Sequence, residues 1–119
     1  MTTLRVGIAS YQQMKQRSLA IARGELRPGP RDPKVWFTSA ESMARILSAR
    51  NRELLEIIRR NSPQSLAELA QQTGRKKPNL SRTLKTMEQY GLVKVSRQNR
   101  RLVPKVNYRR VAVVMELSA

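Results

Sequence analysis

The 119-residue chain carries 24 Lys and Arg against 8 Asp and Glu, a formal net charge of +16, and contains neither cysteine nor histidine. Its length is enough for one domain with a modest core, and the missing residue types exclude disulfides, the usual zinc sites and nucleophile–histidine catalysis. Because no apolar run approaches the length of a membrane span and the amino terminus has no hydrophobic signal region, we expect a cytoplasmic protein that is not an enzyme, needs no cofactor or metal, and does not bind a membrane.

The amino-terminal part of the chain predicts a strand, a helix and a connector. Residues 2–8 alternate apolar and polar side chains, as in a half-buried strand. Residues 10–23 have the periodicity of an amphipathic helix capped by Ser10, which can pack within the chain or on a partner. The segment 24–34 contains two glycines and three prolines. This composition disfavours helix and sheet, so we expect an extended connector.

The only tryptophan and the only phenylalanine of the chain, Trp36 and Phe37, are adjacent. Side chains of this size are normally buried in a core, and we expect the same of this pair. The alternative is an exposed pair on which nucleic-acid bases stack.

Two helices are predicted next. Thr38 and Glu41 have the spacing of a capping box, so a helix should begin there and present one apolar stripe that includes Met43 and Leu47. A further helix over residues 50–61 should end at Ser62–Pro63. Its side chains expected in the core are Leu54, Ile57 and Ile58.

Residues 65–91, SLAELAQQTGRKKPNLSRTLKTMEQYG, predict two short helices joined by a glycine turn. The first begins with a capping box of Ser65 and Glu68 and ends at Gly74, which can adopt the left-handed conformation. Pro78 is suited to the first position of the second helix, which should end at the next glycine. Its buried side chains should be Leu80, Leu84 and Met87.

The opposite face of the second helix is cationic and polar. A helix pair with a tight turn and such an outer face is typical of a helix-turn-helix with its recognition helix. The helix pattern alone is equally compatible with an amphipathic hairpin whose charged face is simply solvated. The residues expected to bind DNA from this helix and its entrance are Lys76, Lys77, Asn79, Ser81, Arg82 and Lys85.

Residues 92–96 and 102–106 alternate and carry β-branched side chains, and the polar segment SRQNRR lies between them. This pattern predicts a hairpin with a charged tip. A hairpin directly after a recognition-type helix is a wing, and its arginines can enter a narrow minor groove, although solvated loop arginines are the simpler interpretation. The residues expected to bind DNA from the wing and its flank are Lys94, Arg97, Gln98, Asn99, Arg100 and Arg101.

The positive charge is concentrated in the same region. From Arg75 to Arg110 there are twelve cationic side chains, and Glu88 is the only acidic one. Charge that only aided solubility would be interspersed in sign, whereas this excess indicates a polyanionic partner. After it, residues 111–117 alternate as a final strand, which can pair with the first strand if helices or a second subunit cover the sheet.

The segment SLAELAQQTGRKKPNLSRTLKTMEQYGLVKV resembles the winged helix-turn-helix of MarR and ArsR type bacterial regulators. It is more similar still to a group of small prokaryotic DNA-binding regulators that begin with a strand and a helix and continue with a segment like WFTS at residues 36–39. The resemblance implies that the helix residues named above face the major groove and that the wing tip meets the DNA backbone or minor groove. Some relatives of that group are antitoxins, which implies a toxin protein as a partner.

Two departures limit the resemblance. MarR proteins dimerise through long terminal helices, whereas this chain is predicted to end in a strand, so their dimer and ligand cleft are not expected here. The metal-sensing sites of ArsR proteins are also not expected, since the chain has no cysteine or histidine to build them.

The sequence therefore predicts a mainly α fold with a small β component. Residues 35–110 should form a winged helix-turn-helix that binds double-stranded DNA. Residues 1–34 should be a strand–helix extension and connector for dimerisation or partner binding, and residues 111–119 a C-terminal strand. The leading functional hypothesis is a sequence-specific transcriptional regulator acting as a homodimeric repressor. The alternatives are an antitoxin that binds a toxin and represses its own operon, and a non-specific nucleic-acid-binding protein.

Overall fold

A computed structural model describes residues 2–117, and the predicted fold class is confirmed: five helices and five strands form a winged helix-turn-helix with an added strand–helix unit and a C-terminal strand. Residue 1 and residues 118–119, the end of the predicted C-terminal segment, lie outside the described residues. The elements in chain order are β1 Thr3–Ile8, α1 Tyr11–Ala22, β2 Val35–Phe37, α2 Ala40–Ile46, α3 Ala49–Asn61, α4 Leu66–Thr73, α5 Lys77–Tyr90, β3 Lys94–Gln98, β4 Arg101–Lys105 and β5 Arg110–Met115.

The first and last strands pair, as predicted, but in a three-stranded sheet. β1 lies between β2 and β5 and is parallel to both. Thr3 faces Arg110 at one end of the β1–β5 ladder, and Ile8 faces Met115 at the other. The sequence did not predict that residues 35–37 would be the third strand. A parallel neighbour requires a long crossover, which α1 and the connector supply.

One hydrophobic core joins this sheet to the helix-turn-helix. Val6 of β1 and Phe37 of β2 belong to the same buried cluster as the apolar faces of α3, α4 and α5. In α3 the buried side chains are Leu54, Leu55 and Ile58. Ile57 packs against the same core but is only partly buried, whereas Leu55, which the sequence did not indicate, is buried.

Trp36 and Phe37 point to opposite faces of the sheet, as successive residues of a strand must. Phe37 is buried in the core, but Trp36 is only half-buried, so the expectation of a buried pair is half wrong. The indole lies over Gly7, where an added Cβ would come within 2.4 Å of the ring. The Arg17 guanidinium lies 5.2 Å from the ring centroid, within cation–π range.

The helix starts follow local side-chain caps, with one correction. Ser10 forms a complete capping box with Gln13, as its position predicts. The cap of α2 is Ser39, whose hydroxyl accepts a hydrogen bond from the Ser42 N–H at 3.0 Å. The prediction of Thr38 and Glu41 is wrong by one residue, because Ser39 takes the extended conformation that a cap requires.

No side chain of α1 is buried. The apolar side chains of this helix include Tyr11, whose exposed fraction is 81%, and Ile21, which is also exposed. The helix therefore leaves much of its apolar surface uncovered by residues 2–117.

Candidate nucleic-acid interface

Local hydrogen bonds fix both ends of α4, and a tight turn joins it to α5. The Ser65 hydroxyl accepts from the Glu68 N–H at 3.0 Å. The predicted capping box is therefore only half formed, because the Glu68 carboxylate accepts from the Gln72 side chain and not from the Ser65 N–H. Gly74 ends α4 at φ +73°, a conformation that favours glycine. The Thr73 hydroxyl donates to the Leu69 carbonyl oxygen at 2.8 Å. This turn sets the direction in which α5 leaves the pair.

The start of α5 is one residue earlier than Pro78 predicts. Lys77 is the first helical residue, Pro78 is the second, and Lys76 is the extended cap. Proline is tolerated at the second position because its missing N–H would have no partner within the helix there either. Lys76 makes no side-chain cap bond and the first turn has no acidic residue. The positive end of the helix dipole is therefore reinforced by two lysines and offset by no carboxylate of that turn.

The two faces of α5 divide as predicted. Leu80, Leu84 and Met87 are buried in the core. The sequence-predicted contact residues of this helix and its entrance are all exposed on the remaining surface: Lys76, Lys77, Asn79, Ser81, Arg82 and Lys85. Because the core fixes the rotation of the helix, this polar surface is presented as one unit.

Strands β3 and β4 form the predicted antiparallel hairpin, but its tip is shorter. Instead of a six-residue polar loop, two residues, Asn99 and Arg100, make the turn, and the ladder runs on to Gln98 and Arg101. The φ angles of the two turn residues are +51° and +64°, as in a type I′ turn, which matches the twist of the paired strands. The wing is therefore a paired two-stranded ribbon up to the residues that flank the turn.

Arg100 occupies a backbone position that disfavours its side chain. The second central residue of a type I′ turn is usually glycine, and a non-glycine residue in the left-handed region costs ~1 kcal/mol or more. The sequence places a cation there in spite of that cost. The predicted wing residues are all exposed: Lys94, Arg97, Gln98, Asn99, Arg100 and Arg101.

The ion pairs of the described chain lie away from α5 and the hairpin. Arg17 pairs with Asp32 at 3.4 Å, and Glu56 pairs with Arg59 and Arg60. A hydrogen bond from the Gly29 N–H, with help from Arg17, lowers the pKa of Asp32. The Arg59 guanidinium similarly lowers the pKa of Glu56. Within residues 2–117, the cations of the candidate interface have no carboxylate partner and are available to an external anion.

Arg75 belongs to this cationic region in sequence, but it has a structural role. Its guanidinium donates to the Arg50 carbonyl oxygen at 2.7 Å and to the Asn51 side chain at 3.3 Å. Burial lowers the pKa of this guanidinium, and the charge of Arg50 acts in the same direction. Arg75 thus ties the turn of the helix pair to the start of α3.

The structure adds two lysines that the sequence did not single out. Lys105 faces Lys94 directly across the hairpin, and both line a hollow of about 190 Å³ together with Lys34 of the connector. Like charges facing each other in a ladder are destabilising, so this cluster is suited to an anion. The hairpin register could have indicated Lys105, because it mirrors Lys94. Nothing local indicated Lys34, which reaches the cluster only through the fold.

The described chain has neither a cluster of metal ligands nor a membrane-spanning helix. Among residues 2–117, no three His, Cys, Asp or Glu side chains come together in a way that could hold a metal ion. None of the helices in that range has both the length and the apolar character needed to cross a membrane.

Comparisons with known proteins place the chain in a family. No curated protein is significantly similar to the chain. The crystal structure of the predicted DNA-binding transcriptional regulator from E. coli is similar at a TM-score of 0.45 and 19% identity, covering 82% of this chain and 83% of that one. Residues 46–113, more than half of the chain and including α3, the helix-turn-helix and the hairpin, match the model of the HVO_A0114 family. The chain therefore belongs to the HVO_A0114 family.

Proposed function

We propose that this protein is a sequence-specific DNA-binding transcriptional regulator that acts in the cytoplasm as a homodimeric repressor. The observation that carries the proposal is the exposed, cationic face of α5 followed directly by a cationic hairpin, with no carboxylate pairing either element in the described chain. In this proposal residues 35–110 bind DNA, while residues 1–34 and 111–119 serve dimerisation or partner binding.

The side chains of the two elements suit different parts of DNA. Lysines and arginines that neutralise phosphates release counterions and supply affinity without sequence preference. Asn79, Ser81, Arg82 and Lys85 have donors and acceptors that can read base edges in the major groove. Arg82 is the best candidate for guanine, which takes two hydrogen bonds from one guanidinium. Because α5 begins at Lys77, its first two turns should contact the bases.

Arginines of the hairpin suit the minor groove or the adjacent backbone. Arg97, Arg100 and Arg101 lie at or next to the turn and are exposed. A narrow minor groove has enhanced negative potential, which attracts such side chains. Lys94, Lys105 and Lys34 lie at the base of the hairpin and suit a phosphate.

Selection of bound duplexes from a random pool tests this function. A dimeric regulator should enrich a palindromic consensus whose half-sites reflect the protein's two-fold axis. In competition with bulk DNA, the protein should bind the selected site at least ~10³-fold more tightly than random sequence. If the pool yields no consensus, and bulk DNA competes as well as the selected duplexes do, the protein binds nucleic acid non-specifically.

A second candidate function is supported by α1. This helix has no buried side chain and exposes Tyr11, Leu19 and Ile21, as expected of a surface that a protein partner covers. An antitoxin would use it to bind a toxin and would use α5 to repress its own operon. Co-purification of a small toxic protein encoded by a neighbouring gene favours this function, and a homodimer that captures no such protein when the two are co-expressed argues against it.

A further inference from the structure

Strand β5 forms an open edge of the parallel sheet. All six of its residues are in register with β1, and in residues 2–117 no strand lies on its other side. The backbone N–H and C=O groups along that side are therefore open to another strand. An unprotected sheet edge is a template for pairing with a second chain.

Beyond Arg110, the apolar run of β5 lacks the features that normally protect an edge. Residues 111–115 contain no proline and no charged side chain, in a chain that has 24 cations. Charge, proline and bulges are the usual means of preventing edge-to-edge association. Their absence from these five residues of the outermost strand favours pairing of this edge with another strand.

The apolar face of the sheet extends to this edge. Val113 is aligned with Val6, and Met115 with Ile8, so both project on the face that carries the core. Val6 is fully buried, whereas 48% of Val113 and 51% of Met115 are exposed. The core therefore covers this face of the sheet up to β1 and Val111 of β5, and it leaves Val113 and Met115 about half exposed.

We propose that β5 pairs antiparallel with β5 of a second copy of this chain, about a two-fold axis at Val113, to form a continuous six-stranded sheet. A two-fold interface is self-complementary, and paired residues of neighbouring strands project on the same face. One residue must then face its own copy across the axis. Centring the axis on Val113 makes Val111 face Met115, Ala112 face Val114 and Arg110 face Glu116 of the other copy.

Charge complementarity selects this register. The only charged residues next to the apolar run are Arg110 before it and Glu116 after it. With Val113 at the axis they form two cross-strand pairs of opposite charge, one at each end of the apolar pairs, which stabilises antiparallel pairing. With Ala112 at the axis Arg110 would face Val114, and with Val114 at the axis Glu116 would face Ala112. Both of those registers leave the charges without partners.

This pairing rests on the proposed function in one respect. The proposed function states that the protein is a homodimer, and the pairing names the surface through which the homodimer forms. Dimerisation is measured without DNA, so a protein that dimerises through β5 and fails to select a DNA site would leave the pairing intact. Conversely, a specific DNA-binding protein whose dimer does not use β5 would overturn the pairing alone.

Cysteine cross-linking tests the axis, because the natural chain has no cysteine. Val113→Cys in the full chain should form a disulfide-linked dimer on mild oxidation, since the two residues face each other. Gln71→Cys, on the exposed surface of α4, is the control and should stay monomeric on non-reducing gels. Equal cross-linking of the two variants, or none by Val113→Cys, would overturn the proposal.

Charge reversal tests the register. Arg110→Glu and Glu116→Arg should each raise the dimer Kd at least ~10-fold in sedimentation equilibrium, because each creates two like-charge pairs. The double variant restores opposite charges and should return to within about threefold of the parent. Arg45→Glu, at an exposed position of α2, changes the net charge as Arg110→Glu does and should not weaken the dimer. A monomeric parent protein at tens of micromolar, or a double variant as weak as the single ones, would contradict the pairing.

Discussion

The rings of Phe37 and Tyr90 stack, with their centroids 4.8 Å apart and their planes inclined by 28°. Phe37 belongs to the parallel sheet and Tyr90 is the last residue of α5. The contact thus connects the amino-terminal strands to the end of the candidate recognition helix, and it helps to fix where that helix lies on the core.

Phe37→Leu should lower the free energy of unfolding by ~1 to 2 kcal/mol, because it removes the ring stacking while keeping an apolar side chain in place. Urea denaturation measures the change. Tyr11→Leu is the control, since that ring is exposed and its replacement should stay within ~0.5 kcal/mol. An equal effect of the two substitutions would show that the stacked pair contributes nothing specific.

Tyr108 should make stability depend on pH in the alkaline range. Its hydroxyl donates to the Leu92 carbonyl oxygen at 2.7 Å, and burial raises the pKa of Tyr108 from 10.0 to about 12. A raised folded-state pKa means that the stabilisation is complete below pH 10, and it is lost between pH 10 and 12 as the unfolded chain releases its proton first.

The comparison of Tyr108→Phe with the parent isolates this dependence from other groups. The variant should be less stable by ~1 kcal/mol at pH 8, where it lacks the hydrogen bond, and the difference should shrink as the pH rises past 10. Urea midpoints at several pH values measure it, with Tyr11→Phe as an exposed control. A difference that stays constant up to pH 11 would contradict the assigned role of the Tyr108 hydroxyl.

Arg82 and Lys94 should differ in how they contribute to DNA binding. Arg82→Ala should cost ~1 to 3 kcal/mol on the selected site and relax the preference at one base position. Lys94→Ala or Arg101→Ala should weaken binding to all DNA sequences alike. Each should also reduce the slope of log affinity against log salt concentration by about 1. Titrations of selected and random duplexes at several salt concentrations measure both quantities. Equal loss on all sequences for Arg82→Ala would exclude base reading by that residue.

Arg100 should show opposite effects on stability and binding. Arg100→Gly should raise the free energy of unfolding by ~0.5 to 1 kcal/mol, because glycine relieves the left-handed conformation of the turn. The same change should weaken DNA binding and lower the salt slope, because it removes a cation from the wing. Arg100→Asn, which also tolerates this conformation, should weaken DNA binding to the same degree. Unchanged binding by both variants would show that the arginine is not retained for DNA.

Local features of the sequence were sufficient to predict the helix caps and most of the helix-turn-helix. Ser10, Ser65 and Gly74 cap helices where predicted, and Leu80 and Leu84 are buried as their spacing indicates. These properties depend on interactions between residues three or four apart, which the sequence contains in full. The errors at Ser39 and Pro78 are of one residue, because several adjacent residues suit the ends of a helix.

The properties that the sequence did not determine depend on residues far apart in the chain. The parallel sheet brings Thr3 next to Arg110, and only that arrangement leaves β5 as an open edge and places Lys34 beside the hairpin. The opposite orientations of Trp36 and Phe37 likewise follow from the third strand. Composition and periodicity were enough to indicate an amphipathic, cationic helix-turn-helix. The uncovered apolar edge and the lysine cluster were decided by tertiary packing, because strand neighbours and register are set by contacts that no short segment encodes.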